Sequence, residues 1–165
     1  MQIVYIVGYN LVWTLTVYGW LWEKTWLGFV ASIVYFCLVV KGEGSFSRDL
    51  QVMIKIGCLG FLVESFNQFF SIMVYEPSAL FAPLWILPLW ASFGIFHKYA
   101  LRFMHHRIEL ALVLGGPVGA FTYWMASRIM DVSFGTHQWV IIGLEWAVLM
   151  VGLGCVFSKK SNDLR

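Results

Sequence analysis

The sequence predicts an all-α protein, a polytopic membrane bundle of six transmembrane helices with the N and C termini cytoplasmic. Three observations predict it. Of the 165 residues, 60% are hydrophobic and 12% charged, about half the roughly 25% charge of a soluble domain. Aromatic residues make up 18% and include nine Trp, as expected of rings that gather at two membrane–water interfaces. Apolar runs close to the ~20 residues that cross a hydrocarbon core recur along the whole chain. Residues 1–158 therefore read as one transmembrane domain, and 159–165 as a short polar cytoplasmic tail.

The first run covers residues 3–21. Met1-Gln2 carries no basic side chain and no small-residue cleavage pattern follows, so this helix is expected to be retained and not removed as a signal peptide. The second, 26–40, is short and reaches toward Gly42 and Gly44. The third, 52–75, holds most of the polar residues discussed below. The fourth, 80–101, starts beside Pro77 and Pro83, where a missing N–H is tolerated, and Pro88 deeper inside is expected to kink it. The fifth and sixth are 110–127 and 139–157.

Charge sets the orientation. With residue 1 inside, the cytoplasmic side receives Lys41, Arg48, Lys55, Lys98, Arg102, Arg107, Lys159, Lys160 and Arg165. The other side keeps only Lys24 and Arg128. Nine of eleven basic residues inside is the asymmetry that the positive-inside rule describes. Trp20, Trp22, Trp26, Tyr75 and Trp139 then fall at the outer interface. The net charge of +2, with no basic run beyond Lys159-Lys160, leaves no footprint for nucleic acid.

Polar side chains inside hydrocarbon are costly, so they carry the functional reading. Glu64, Asn67, Gln68 and Ser71 are spaced 0, 3, 4 and 7 residues apart and share one helical face, which Gly57 and Gly60 continue. Such a face is expected to turn toward other helices or a wet cavity. At ~1.5 Å per residue, Glu145 and Tyr123 fall near the same height, with Arg128 just above as a counter-charge. Two uses are open: ligand or proton handling, or hydrogen-bonded packing. Trp85 and Trp90 sit within the fourth run, where an indole N–H needs a partner. His97 ends that run. Cys37, Cys58 and Cys155 lie at a similar depth, but without metal-motif spacing they are expected to pack as small apolar groups. No metal and no cofactor is expected. Ala111, Gly115 and Gly119 repeat every fourth residue, a pattern that lets helices approach closely, and Pro117 is expected to loosen that helix.

Three stretches carry a family resemblance: Leu59-Gly60-Phe61-Leu62-Val63-Glu64-Ser65; the run from Ala82-Pro83-Leu84-Trp85 through Pro88-Leu89-Trp90-Ala91-Ser92-Phe93 to His97; and Leu114-Gly115-Gly116-Pro117. In this order they resemble the bacterial inner-membrane family catalogued as domain-of-unknown-function family 2878, over most of the chain. That family's pattern has Asp in the place of Glu64, which keeps a carboxylate, His-Ser in the place of His97-Lys98, and a Tyr sooner after Gly-Gly-Pro. The resemblance implies a small multi-pass protein of the bacterial inner membrane, encoded near fatty-acid-modifying enzymes, with no established activity.

Nucleophile, metalloprotease, phosphate-loop and dinucleotide motifs are all missing from the sequence. The leading expectation is therefore a non-catalytic accessory protein that binds a lipid-like or small amphipathic molecule in an intramembrane cavity. Its site candidates are Glu64, Asn67, Gln68, Trp85, Trp90, His97, Tyr123, Arg128 and Glu145. A proton-coupled transporter using Glu64 and Glu145 is the first alternative, an intramembrane enzyme acting on acyl chains the second. Membrane lipids are the expected partners, and a homo-oligomer or a membrane-protein partner stays open.

Overall fold

The structure, a computed structural model, describes residues 1–76, 78–130, 132 and 137–162, and of 159–162 the backbone only. Among these residues there are six α-helices and no strands: α1 (Gln2–Leu21), α2 (Trp26–Gly42), α3 (Phe46–Phe69), α4 (Leu87–Tyr99), α5 (Ile108–Met130) and α6 (Gln138–Asn162). Gln2–Leu21, Ile108–Met130 and Gln138–Ser158 are each long and apolar enough to cross a membrane, and Trp26–Gly42 is a shorter apolar helix. Many of the side chains that these helices leave exposed are apolar, among them Ile3, Leu11, Ile33, Val113, Leu144 and Val148. A medium of acyl chains carries no penalty for that exposure.

Two compact units divide the chain, Met1–Ala100 and Leu101–Arg165. In the first, α4 packs against α1, α2 and α3, while α2 and α3 meet only sparingly. Glycines set the spacing. A Cβ at Gly60 would fall inside the Trp90 indole, and one at Gly8 would run into the Tyr35 ring. The second unit is a hairpin in which α5 lies along α6. There Gly119 gives way to Trp146, and Gly115 to Met150. Close approach through small residues is how helices gain contact where no hydrophobic driving force separates them from lipid. Pro117 lies inside α5, which runs unbroken from Ile108 to Met130.

Several sequence expectations need correction. The third helix runs from Phe46 to Phe69, about six residues earlier than residues 52–75 at both ends. Its start is earlier because Asp49, counted as loop, is fully buried in the first turn. Its stop is earlier because Ser71 takes φ 55°, in the left-handed region. The N–H of Ser71 then bonds the carbonyl of Gln68, and that of Ile72 the carbonyl of Asn67, the two bonds of a Schellman stop. Ser71 is thus exposed and outside the helical face assigned to it. The fourth helix does not begin at residue 80. A 3₁₀ turn at Leu84–Ile86 leads into Leu87. Pro88 occupies its first turn, where it costs no hydrogen bond, and so starts α4 where a kink was expected. At the C-terminus, α6 continues through Asn162. Pro77 and residues 163–165, with Arg165, lie outside the described residues, as do the side chains of Lys159 and Lys160.

Candidate functional site

The last two turns of α3 form a polar seam, and the chain after Phe69 folds back onto it. Glu64, Asn67 and Gln68 are 0%, 1% and 5% exposed. One Glu64 oxygen accepts the Tyr75 hydroxyl at 2.7 Å, and the other accepts the Trp90 indole N–H at 3.0 Å. Gln68 takes the Tyr75 N–H on Oε1 at 2.8 Å. Its Nε2 donates to the carbonyls of Glu76 at 2.6 Å and Ala79 at 2.9 Å. One turn earlier, Ser65 Oγ accepts the Ala82 N–H at 3.2 Å.

This pattern has a physical reason. Among the described residues between Phe69 and Leu84 the chain is not helical, so most of its backbone groups need partners outside their own segment, the Ala79 N–H on the Glu76 carbonyl being an exception. Non-helical backbone at membrane depth persists only where protein satisfies it. From Phe69 back to the level of Ser65 is roughly 6 Å along the helix axis, so the segment descends beside α3 as it approaches α4. Ser65 and Gln68 supply the donors and acceptors that a helix or water would otherwise provide. Burial follows: Met73, Tyr75 and Ala82 are each under a tenth exposed.

Trp85 and Trp90 are both buried, at 5% and 1%. Trp85 stands between the rings of Trp20, 5.5 Å away, and Tyr75, 5.7 Å away and nearly perpendicular. Its indole N–H has no hydrogen-bond partner among the described residues. His97 is fully buried, edge-on to Phe93 at 5.9 Å. In the second unit, Tyr123 is buried and meets Trp146 edge-on at 5.9 Å. Arg128 lies over the Trp124 ring at 5.7 Å, and Glu145 is half-buried. Glu64, Gln68 and Trp90 thus converge on one seam with Asn67 beside them, while Tyr123, Arg128 and Glu145 belong to the other unit.

Cys37, Cys58 and Cys155 are exposed free thiols, contrary to the packed positions expected of them. A thiol is apolar enough to face acyl chains without burial. Among the described residues no three His, Cys, Asp or Glu side chains stand close enough to hold a metal.

Sequence reasoning missed three features. Tyr75, expected in an aromatic belt, is buried and donates its hydroxyl to Glu64. Opposite the seam, at the start of α3, Asp49 accepts from Lys98 Nζ, from the Tyr99 hydroxyl at 3.0 Å and from the Ser45 N–H at 2.7 Å. Tyr5 stacks on Tyr99 at 4.8 Å and donates to Glu43 at 3.3 Å. This knot ties α1, α3 and α4 together. The usable signal was Asp49 four residues after Ser45, a spacing at which a side chain reaches back to a helix start.

The third feature is a groove of about 310 Å³ where α2 and α3 stand apart over the start of α4. Phe29, Ile33, Met53, Ile54, Leu87 and Pro88 contribute apolar walls, with Ser32 and Cys58 also facing it. None of the residues singled out from the sequence as site candidates lines it. α4 reaches both α2 and α3, which meet each other only sparingly.

No curated protein and no solved structure matches the chain. Residues 2–152 match the model of a family described as "Protein of unknown function (DUF2878)". That match takes in the seam, the groove, the first helical unit from residue 2 and the second as far as residue 152, and the chain belongs to this family.

Proposed function

We propose that the chain is a multi-pass protein of the bacterial inner membrane, with six spans and both ends cytoplasmic, that holds a lipid-like or small amphipathic molecule as an accessory to lipid-modifying enzymes. One observation carries this reading, the groove between α2 and α3. Its volume of about 310 Å³ lies at the lower end of the ~300–1,000 Å³ usual for ligand sites. Ile33 and Ile54 on its rims are 61% and 57% exposed, so it opens on the apolar exterior of the unit. A slot of that kind fits a hydrocarbon chain better than a polar solute. The Glu64 seam supports the reading indirectly, since its carboxylate and amide are engaged in holding the chain after α3 and do not face the groove.

Native mass spectrometry of the protein released from mild detergent tests this. Wild type should retain a lipid-mass adduct, and Cys58→Trp, which places an indole in the groove from an exposed position, should lose most of it. Wild type without an adduct, or equal occupancy in Cys58→Trp, would end the proposal.

A further inference from the structure

Ser32 is the groove's one hydroxyl-bearing wall residue, and it is not there as a stray. Its Oγ lies 2.8 Å from Ser92 Oγ, with Ser32 4% and Ser92 0% exposed. Two hydroxyls carry two protons, and the bond between them uses one. When Ser92 donates, Ser32 keeps a proton to give elsewhere, at the wall of an apolar slot. An unmet hydroxyl in such surroundings is costly, whereas an acceptor oxygen on the molecule in the slot removes that cost.

Depth narrows the acceptor. Ser32 stands six residues inside Trp26, roughly 9 Å along the helix axis. Trp26 is 57% exposed at the end of α2, where indoles settle at the headgroup level. An oxygen that reaches Ser32 from that side is therefore below the ester carbonyls of ordinary lipids and on the hydrocarbon chain itself.

We infer that the groove is selective for an oxygen-bearing acyl chain, with Ser32, set by Ser92, as the residue that recognises the chain oxygen. This rests on the groove being the binding site. It names the ligand class: an acyl chain with a ketone, hydroxyl or epoxide oxygen several carbons from its head, held by one hydrogen bond within otherwise apolar contact.

The test uses detergent-solubilised full-length protein and two kinds of probe: stearate, and a series of oxostearates with the ketone at successive positions. Affinities are measured by tryptophan quenching or calorimetry for wild type, Ser32→Ala and Cys58→Trp. One hydrogen bond to a neutral acceptor gives roughly a three- to tenfold gain. Wild type should show it for a narrow band of ketone positions, and in Ser32→Ala the ratio of oxostearate to stearate affinity should fall to about one at every position. If wild type binds all probes alike while Cys58→Trp weakens all of them, the groove stands and the selectivity is wrong. If Cys58→Trp changes nothing, the groove reading falls and this inference with it.

Discussion

At the scale of single residues, one of the tightest fits in the first unit is Gly60 against Trp90. The indole lies where a Gly60 Cβ would be, and its N–H is fixed at the same time by Glu64 one turn on. The ring is held from two directions, by shape and by a hydrogen bond, and cannot swing aside without giving up one of them. Gly57 is different, since its missing Cβ would touch Ala91 at 3.3 Å, a distance that small shifts relieve. Gly60→Ala should therefore cost about 1–3 kcal/mol, the usual range for overpacking, and Gly57→Ala clearly less. Thermal unfolding in detergent, followed by tryptophan emission, gives the order. Equal losses at the two positions would mean that Trp90 is free to move and that Glu64 does not hold it.

At the scale of elements, the polar stripe was legible in the sequence and its purpose was not. Glu64, Asn67 and Gln68 sit at helical spacing and are buried together, as periodicity implies. Periodicity cannot say what approaches a helix face, and here the visitor is the chain's own non-helical segment, 70–83. Ser71 illustrates the limit: as a residue in an apolar run it reads as helix, yet it holds the left-handed stop. Pro88 reads as a kink only while the helix is drawn from residue 80. Once the chain is known to leave α3 at Phe69, Gln68 becomes the residue on which the segment depends. Gln68→Ala strips partners from the Tyr75 N–H and the carbonyls of Glu76 and Ala79 together. With buried unsatisfied groups at ~1–3 kcal/mol each, and Glu76 exposed to water, a loss of about 2–3 kcal/mol is expected. Limited proteolysis should then cut within 72–82 well before wild type is cut there. A variant as resistant as wild type would show that the segment is held by something other than the seam.

At the scale of the whole molecule, the question is how a 13-residue α4 serves a membrane bundle. At ~1.5 Å per residue it is about 20 Å long, short of the ~30 Å hydrocarbon core. In the six-span reading proposed above, the 3₁₀ turn and the seam-held segment complete the crossing, and the fourth span consists of helix plus satisfied non-helical backbone. A composite span of this kind keeps the proposed parity of six, and that parity fixes where the loops would lie. Alkaline phosphatase fusions, active only outside the cytoplasm, read that parity directly. Fusions after Lys24 and Ser78 should be active, and those after Gly44, Arg107 and Arg165 inactive, in keeping with the positive side chains clustered near the last three sites. The Ser78 fusion decides the matter. If α4 and its lead-in segment merely dipped into the membrane and returned, Ser78 and Arg107 would lie on one side, and the fusion at Arg107 would be active as well. An inactive Arg107 beside an active Ser78 requires the composite span to cross, and with it the seam to lie at membrane depth.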